Sequence, residues 1–451
     1  MEIISKFFSA VIFSPRRFRF LLGVTAVAFV IRLAIIIFAG NAGHPEMYEH
    51  GNIAENLYSG HGFAMHWPYT PLDPARIALM EQPPEFEGAF MPPINPYLIF
   101  FAYSAVGKTA LAATIIMLIN ALFSSLIPYA VYSAAKLFSS ENESRVSAAI
   151  SVLFLPAAFA VVTFSGSSFY QLLGVITLAF AIRSATKASY KNFLLMGLCA
   201  GIMTLLRSEF LVLGFILLAA SGYFAFHFAK EKKIFPSFIL GCVAMTVVIA
   251  PWTIRNENLF GEFIPVVDHP WHEIWRGNNI YATGSNYNAA GNAIWENAAQ
   301  YPQIIKAMDS LPLDQKFDLR ADSIFKHEAV TFVKDHPVRF AELGAWKIFA
   351  LLTIDYYYPT AGNPIYFIFV PIVTILSLAG MIALVRERKR SPSRAIGMLY
   401  GIFFLYYCAI VVTTFMLPRY QIYVFSVLLP MTGIGLEKMR GYIQRHRQRT
   451  I

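Results

Sequence analysis

Long apolar runs are the feature of this sequence that most restricts its fold. A membrane-spanning helix needs about 20 mostly apolar residues, and ten runs near that length recur along the chain. Only 14% of the residues are charged, against roughly 25% in a soluble domain. We therefore predict an all-α polytopic membrane protein with about ten or more transmembrane helices, the ten runs being 20–40, 111–137, 146–164, 168–183, 192–206, 209–228, 235–252, 363–385, 395–415 and 421–437.

The first run and the cysteines exclude two other interpretations. The first run is long and no small-residue cleavage site follows it, so we expect a retained span and not a signal peptide. Cys199, Cys242 and Cys408 each lie inside an apolar run, where a thiol behaves as a small buried hydrophobe. No disulfide framework is expected.

Charge is distributed by segment. The net charge of +9 could suggest nucleic-acid binding, but the basic residues lie in short turns between apolar runs and form no single patch. By the positive-inside rule these turns and both termini are cytoplasmic. Segments 41–107, which is acidic, and 253–340 are then outside, so function is expected on the outer face and no nucleic-acid partner is expected.

The two outer segments contain elements that do not cross the membrane. Residues 46–58 predict a short interfacial helix that places Glu46 and Glu49 on one face. The proline-rich stretch 61–96 predicts an extended loop. We interpret 97–107 and 341–358 as partial or interfacial helices that cap the outer face, because a full crossing by 341–358 would place the basic cluster of 386–394 outside.

This topology divides the chain into three parts. Residues 1–252 form an N-terminal transmembrane module that includes a catalytic first outer loop at 41–110. Residues 253–340 form a small extracytoplasmic region. Residues 341–451 form a C-terminal transmembrane module with a basic cytoplasmic tail.

Ionisable residues at the outer ends of the spans are the candidates for chemistry, because charges at a membrane boundary are costly unless they are paired or used. A carboxylate beside several cations suits a reaction in which a lipid-linked phosphate leaves and a hydroxyl attacks. The carboxylate takes the hydroxyl proton, and arginines neutralise the phosphate. The candidates are Glu46, Glu49, Arg207, Glu209, Arg255, Arg276, Lys347 and Arg419.

Each candidate also has a purely structural alternative. A single interfacial glutamate is often only solvated, Arg207 can pair with Glu209 or extend to lipid headgroups, and Arg255 can anchor the end of a span. No recognised zinc spacing occurs, so no metal ligand is assigned and no cofactor is required. A divalent cation stays an open alternative, since a carboxylate site outside the cell can recruit one; the first-loop histidines considered for it are His44, His50, His61 and His66.

Seven stretches, in this order along almost the whole chain, resemble one group of membrane enzymes. They are similar to segments of the GT-C glycosyltransferases of the dolichyl-phosphate-mannose-protein mannosyltransferase and aminoarabinose transferase type. The stretches are YEHGNIAENLYSGHGF (48–63), GAFMPPINPYLIFF (88–101), LLRSEF (205–210), PWTIRNENLFGEFIPV (251–266), WRGNNIYATG (275–284), HPVRFAELGAWKI (336–348) and PRYQIYVFSVLLP (418–430).

The resemblance implies a GT-C fold and a reaction. A hexose or pentose would pass from a polyprenyl-phosphate donor to a lipid, glycan or protein acceptor on the outer face, with a first-loop acid as general base. It also implies contact with membrane lipids and a bacterial inner-membrane location, with the site facing the periplasm and a role in cell-envelope glycan or lipopolysaccharide. The matching stretches add Asn256, Asn278, Asn279 and Tyr420 to the predicted donor and substrate-binding residues.

Two departures from the group's pattern matter. The group often has an aspartate near the start of the first loop, where this chain offers Glu46 and Glu49, and we favour Glu49 because it lies in the closest match. An acid often found in the second outer turn is absent from 163–173, which offers Gln171 and hydroxyls. A metal bridged by two such acids is therefore less expected.

Two other functions compete with a glycosyltransferase. A lipid-linked glycan flippase or other transporter should place charges near the bilayer midplane and keep its outer loops short. This sequence does the reverse. A surface-polysaccharide ligase or polymerase shares the topology and differs mainly in its acceptor, and the order of the matching stretches argues against it.

Overall fold

The protein is almost entirely helical. The computed structural model describes residues 15–45, 48–65, 86–229, 233–288, 291, 293, 301–359, 362–386 and 392–450. In these ranges strand-like pairing is limited to two isolated bridges, Ser285 with Met416 and Tyr287 with Ala293. The predicted all-α class is confirmed.

We number the helices of the described residues in chain order. They are α1 (Pro15–Ala39), α2 (Tyr48–Tyr58), α3 (Ile94–Val106), α4 (Ala110–Ala135), α5 (Glu141–Leu153), α6 (Leu155–Phe159), α7 (Ser167–Thr186), α8 (Tyr190–Leu206), α9 (Phe210–Ala229), α10 (Ile234–Phe260), α11 (Pro270–Arg276), α12 (Pro302–Asp309), α13 (Phe317–Asp335), α14 (Pro337–Leu352), α15 (Pro364–Val385), α16 (Pro392–Thr413), α17 (Pro418–Leu428) and α18 (Thr432–Thr450).

Eight helices of the described chain are long and apolar enough to cross a membrane. They are α1, α4, α7, α9, α10, α15, α16 and the continuous helix from α17 into α18. A ninth span forms if the pair Glu141–Leu153 and Leu155–Val162, bent by 52°, crosses as one. The bend falls where Pro156, which has no backbone N–H, begins the second piece.

The predicted apolar runs agree with these helices. The run 192–206 lies in α8, a shorter apolar helix of 17 residues, and the run 146–164 lies in the bent pair. Each of the other eight runs falls on one of the long helices. The chain is therefore an integral, multi-pass membrane protein, as predicted.

The centre of the bundle is formed by α7 and the helix from α17 into α18. Of their most apolar stretches, 72% and 78% are buried, against 22% for α1 at the periphery. Glycines let α15 approach α18 and the turn before it closely. A Cβ at Gly435 would overlap the Leu376 backbone oxygen of α15, and a Cβ at Gly380 would overlap the Met431 backbone oxygen just before α18. Arg32, buried in α1, donates from Nε to Ser124 Oγ at 3.0 Å, so this intramembrane charge has protein partners.

The two outer segments pack together at one end of the bundle. Helices α2, α3 and α14 occur where short or capping helices are predicted, and α2 packs on α3. Residues 86–93 are non-helical, as predicted, whereas 66–85 lie outside the described residues. A small core joins Phe90 of the first segment to Trp275, Tyr301 and Phe325 of the second. We call residues 86–93 with α11, α12 and α13 the outer cap.

Candidate active site

A cavity of 410 Å³ lies between the outer cap and the ends of α2, α8, α16 and α17. It is at the opposite end of the bundle from the basic turns around Lys187 and Arg394, because α8 runs from one end to the other. The cavity brings together six of the residues predicted from sequence: Glu49, Arg207, Glu209, Arg276, Arg419 and Tyr420.

Glu49 lies in the first turn of α2 and contributes a carboxylate to the cavity wall. It is partly buried, and it makes no ion pair or side-chain hydrogen bond with any residue that the structure describes. The next residue, His50, is buried, and its pKa is lowered to about 3 by burial and by Arg207 and Arg419. Helix α2 is thus within electrostatic reach of both arginines. Glu46, the alternative base, lies outside the described residues.

Arg207 occupies the break between α8 and α9, where its backbone is extended. Its Nε donates to Glu209 Oε1 at 3.1 Å, and its guanidinium lies 5.3 Å from the centre of the Tyr423 ring. The Tyr406 hydroxyl donates to the Glu209 backbone oxygen at 2.6 Å and holds this turn. Arg207 therefore faces the cavity with its charge partly offset by Glu209.

Arg276 ends α11 and is also paired. Its Nη1 donates to Glu273 Oε1 at 2.9 Å, and its Nη2 donates to Asn286 Oδ1. The guanidinium lies 4.4 Å from the centre of the Phe415 ring. These contacts hold the side chain from three sides.

Arg419 differs from the other two cavity arginines. It lies in the first turn of α17, next to Tyr420, and its guanidinium is 5.9 Å from the Tyr420 ring centre. Its Nε is buried without a hydrogen-bond partner, and the residue makes no ion pair within the described ranges. Glu49 and Arg419 are thus an acid and a cation whose charges no described side chain offsets.

Arg255 and Asn256 do not line the cavity. Arg255 pairs with Glu87 and donates to the Gly88 backbone oxygen at 2.6 Å, and so ties the end of α10 to the outer cap. Asn256 donates to the carbonyls of Ile264 and Val266 at 3.1 and 3.3 Å. Both side chains therefore bind other parts of the protein, and their assignment to the substrate site stays a prediction.

Lys347, Asn278 and Asn279 lie behind the cavity wall. The buried Lys347 ammonium donates to Asn278 Oδ1 at 2.8 Å and to the carbonyls of Val412 and Thr414 at 2.9 and 2.7 Å, and burial lowers its pKa to about 7. Asn279 donates to the Trp275 carbonyl at 3.0 Å. Lys347 and Asn278 hold the end of α16, which forms part of the wall, against α14 and the end of α11. Asn279 caps the end of α11 and makes no hydrogen bond to the described residues of α16.

Three cavity residues were missed by the sequence analysis: His269, His272 and Glu273. One ligand atom from each lies within 4.8 Å of the others, and among the described residues no other group of three or more such side chains meets this condition. Of the first-loop histidines, His44, His50 and His61 form no group of this kind among the described residues, and His66 lies outside them. The signal was the stretch DHPWHE at 268–273, whose i, i+3, i+4 spacing places these residues on one turn.

The surroundings set the charge of this trio. Burial lowers the pKa of His269, but the hydrogen bond to Asp268 and the negative charges of Asp268, Glu273 and Asp322 together outweigh burial, so the pKa is raised on balance. Burial lowers the pKa of His272 to about 4. Burial would raise the pKa of Glu273, yet Arg276 and His272 hold it well below its usual range.

A carboxyl cluster supports the trio from the outer cap. Asp268 Oδ2 accepts from the Ala89 backbone N–H at 2.7 Å, and Asp322 Oδ1 accepts from the His272 backbone N–H at 2.8 Å. Burial raises the pKa of Asp322 to about 6. These bonds fix α11 against α13 and against the first outer segment.

The cavity contains both a group that can accept a proton and groups that can bind an anion. Glu49 can accept a proton, and Arg419, Arg207 and Arg276 can hold a negatively charged group. Leu211 and Ile410 add apolar surface from α9 and α16 on the same wall. An amphiphilic ligand with an anionic head fits this lining.

Known structures share the fold of this chain. The archaeal oligosaccharyltransferase AglB from Archaeoglobus fulgidus, in complex with an inhibitory peptide and a dolichol-phosphate, superposes with a TM-score of 0.55 at 13% identity, over 97% of this chain and 52% of that one. Its apo form gives 0.54 at 13% identity, over 95% and 51%. The chain thus spans about half the length of the oligosaccharyltransferase.

A second similar structure is ArnT from Cupriavidus metallidurans bound to undecaprenyl phosphate, with a TM-score of 0.38 at 14% identity over 91% of this chain and 76% of that one. No protein-family profile matches the chain, and no curated protein sequence matches it. The match to the oligosaccharyltransferase establishes a shared fold, and the predicted GT-C architecture is confirmed.

Proposed function

We propose that this protein is a glycosyltransferase that moves a sugar from a polyprenyl-phosphate donor to an acceptor. The observation that carries the proposal is the cavity lined both by Glu49, whose carboxylate has no partner among the described residues, and by the arginines of three other segments. An acid and several cations in a cleft at the end of a membrane bundle match the two halves of such a donor, a reacting sugar and a departing lipid phosphate.

The reaction requires one proton acceptor. Glu49 takes the proton of the acceptor hydroxyl or amide as the acceptor atom attacks the anomeric carbon of the sugar. The bond from that carbon to the phosphate oxygen breaks, and its electron pair leaves with the polyprenyl phosphate. The favoured base is Glu49, and Glu46 remains the alternative.

The departing phosphate requires cations. Arg207 and Arg276 already have glutamate partners, so their charges are partly offset, whereas Arg419 pairs with no acid in the part of the chain that the structure describes and is available to a ligand. Hydrogen bonds from ionised donors to phosphate are about twice as strong as neutral ones. We assign Arg419 as the principal phosphate contact, with Arg207, Arg276 and Tyr420 beside it.

The lining and the shared fold support a lipid donor. Leu211 of α9 and Ile410 of α16 line the cavity and are only partly buried, so they offer apolar surface to the lipid part of a donor. The archaeal oligosaccharyltransferase was solved with a dolichol-phosphate, which is a polyprenyl phosphate of the class proposed here. The acceptor is a lipid, a glycan or a protein.

The orientation follows from charge. The cavity lies at the end of the bundle away from the basic turns, so we place it on the outer face. The family resemblance, and not the charge, is the basis for proposing a bacterial inner membrane with the cavity facing the periplasm. A transporter would instead use charges at mid-membrane. Arg32, a charge inside a span, is buried with protein partners and does not line the cavity.

The test is a transfer assay with purified protein in detergent and a panel of radiolabelled polyprenyl-phosphate sugars. We expect release of polyprenyl phosphate from one donor when acceptor extract is present. If no donor is turned over, and reconstituted vesicles move labelled lipid across the bilayer, the protein is a transporter and the proposal is wrong.

A further inference from the structure

We propose that His269, His272 and Glu273 form a binding site for a transition-metal dication of the Zn²⁺ class in the wall of the cavity. The inference concerns metal binding and does not depend on the proposed reaction. It rests on the donor set, on the groups that orient it, and on the cavity that it faces.

The donor set suits such an ion. Two imidazoles and one carboxylate, with a ligand atom of each within 4.8 Å of the others, come from one turn of chain around the start of α11. Two histidines with one carboxylate are a recurrent set of three protein ligands for zinc. Imidazole ligands favour Zn²⁺, Co²⁺ or Ni²⁺ over Mg²⁺ and Ca²⁺, which prefer oxygen.

The His269 ring is oriented as metal-binding histidines usually are. Its Nδ1 lies 3.1 Å from Asp268 Oδ1, while the other oxygen of Asp268 accepts from the Ala89 backbone N–H at 2.7 Å. Phe90 stacks on the ring at 3.8 Å with an interplanar angle of 4°. A carboxylate on one ring nitrogen fixes the tautomer and raises the basicity of a histidine ligand, and Asp268 has that position.

The His272 ring is oriented by its packing. Its backbone N–H donates to Asp322 Oδ1 at 2.8 Å, and its ring packs 5.0 Å from the Phe325 ring. The side chain is almost fully buried, so its direction toward His269 and Glu273 is set by the outer cap. Both imidazoles are therefore held in place by the protein before any ion binds.

Glu273 decides which ions are favoured. Its Oε1 contacts His272 Nδ1 at 3.3 Å and Arg276 Nη1 at 2.9 Å. Because Arg276 offsets part of the carboxylate charge, a hard cation that depends on carboxylates gains little here. A cation that binds mainly through imidazole loses less, which favours the Zn²⁺ class over Mg²⁺.

The site faces the cavity that holds Glu49 and Arg419, because all three ligands line it. Zinc sites with three protein ligands and access to a cavity keep a position open for water or substrate. A metal here would therefore be able to contact an anionic ligand.

Zinc binding by the full chain in detergent tests the proposal. The protein is stripped with a chelator, loaded with Zn²⁺, passed over a desalting column and analysed for zinc by mass spectrometry; Co²⁺ serves as a visible-absorption probe. We expect one zinc per chain and a Co²⁺ spectrum with nitrogen ligands. A tenfold excess of Mg²⁺ over zinc should not displace the zinc.

Variants identify the ligands. His272→Ala and the nearly isosteric Glu273→Gln should abolish stoichiometric binding, and Asp268→Asn should weaken it about 10–100-fold because the orienting carboxylate is lost. His327→Ala, an exposed histidine of α13, is the matched control and should bind like wild type. Elution volume and melting temperature show which variants are folded.

Two results would overturn the inference: folded wild type that retains no more zinc than His272→Ala, or zinc that Glu273→Gln and His272→Ala both retain at wild-type affinity. The readout is separate from turnover. Sugar transfer by a protein that binds no zinc refutes the metal site alone, and zinc binding without transfer from any donor refutes the proposed function alone.

Discussion

Replacing Arg419 with methionine should weaken use of the lipid donor more cleanly than any other change to a cavity arginine. Methionine keeps an unbranched apolar stem and removes the guanidinium. No described carboxylate pairs with Arg419, so replacing Arg419 leaves no described acid without its ion-pair partner. Removing Arg207 would leave Glu209 unpaired at 13% side-chain exposure, and breaking a buried pair in this way destabilises proteins by about 3–5 kcal/mol.

The size of the effect follows from the bond that is lost. A hydrogen bond to a charged group contributes about 1.5–3 kcal/mol. Because 1.4 kcal/mol is a tenfold change, one lost phosphate contact should lower kcat/KM for the donor about 12-fold to 140-fold. Arg419→Lys keeps the charge without the planar fork and should fall between methionine and wild type.

The assay is initial-rate release of polyprenyl phosphate over a range of donor concentrations in detergent. Arg339→Met is the control, since Arg339 is exposed and pairs with Glu342 away from the cavity. Its kinetics should match wild type. A folded Arg419→Met protein with wild-type kcat/KM for the donor would refute the assignment of Arg419 to the phosphate.

Two further predictions concern the cavity wall and its support. A Cβ at Gly277 would overlap the backbone oxygen of Thr414, so Gly277→Ala should destabilise the protein by about 1–3 kcal/mol through overpacking and lower its Tm. Gly401→Ala is the control, because no atom lies near the position of the added Cβ, and its Tm should match wild type. Equal Tm values for the two variants would contradict this packing. Burial raises the pKa of Asp355 to about 6, and Ser285 donates to it at 2.7 Å. The folded state therefore binds more protons than the unfolded state between pH of about 4 and 6, and the free energy of unfolding falls as the pH rises through that window; Asp355→Asn should flatten this fall in Tm measured against pH, and an unchanged slope would exclude Asp355 as its source.

The spans were predictable because each depends on a local property. A run of about 20 apolar residues has few ways to satisfy its backbone in a bilayer other than a helix. The bend at Pro156 is also a local effect of one residue. The prediction for 341–358 required the charge rule as well, and α14 at Pro337–Leu352 fits a short capping helix.

The gathering of Glu49, Arg207, Arg276 and Arg419 could be anticipated only in part. Their place at the outer ends of spans follows from topology, so a common cavity was a reasonable expectation. Which cations stay unpaired depends on side-chain contacts between distant segments. Arg255 looks equivalent to Arg419 in the sequence, yet it pairs with Glu87, 168 positions away.

The sequence analysis did not select His269, His272 and Glu273, although they lie close together in the sequence. DHPWHE is a local pattern that sequence reasoning could have selected, but the four histidines of the first loop offered a competing group. The structure separates the two because Asp268 is held by the Ala89 backbone N–H, a contact across 179 positions. Burial in the outer cap, and not spacing alone, distinguishes the trio.

The most direct test of the central claim compares Glu49→Gln with Glu257→Gln, an exposed glutamate at the end of α10 outside the cavity. Donor binding and polyprenyl phosphate release are measured on the same preparations. We predict that Glu49→Gln binds the donor like wild type and loses turnover, because the amide cannot accept the acceptor's proton, while Glu257→Gln stays active. Wild-type turnover by a folded Glu49→Gln protein would contradict the account and pass the role of base to Glu46.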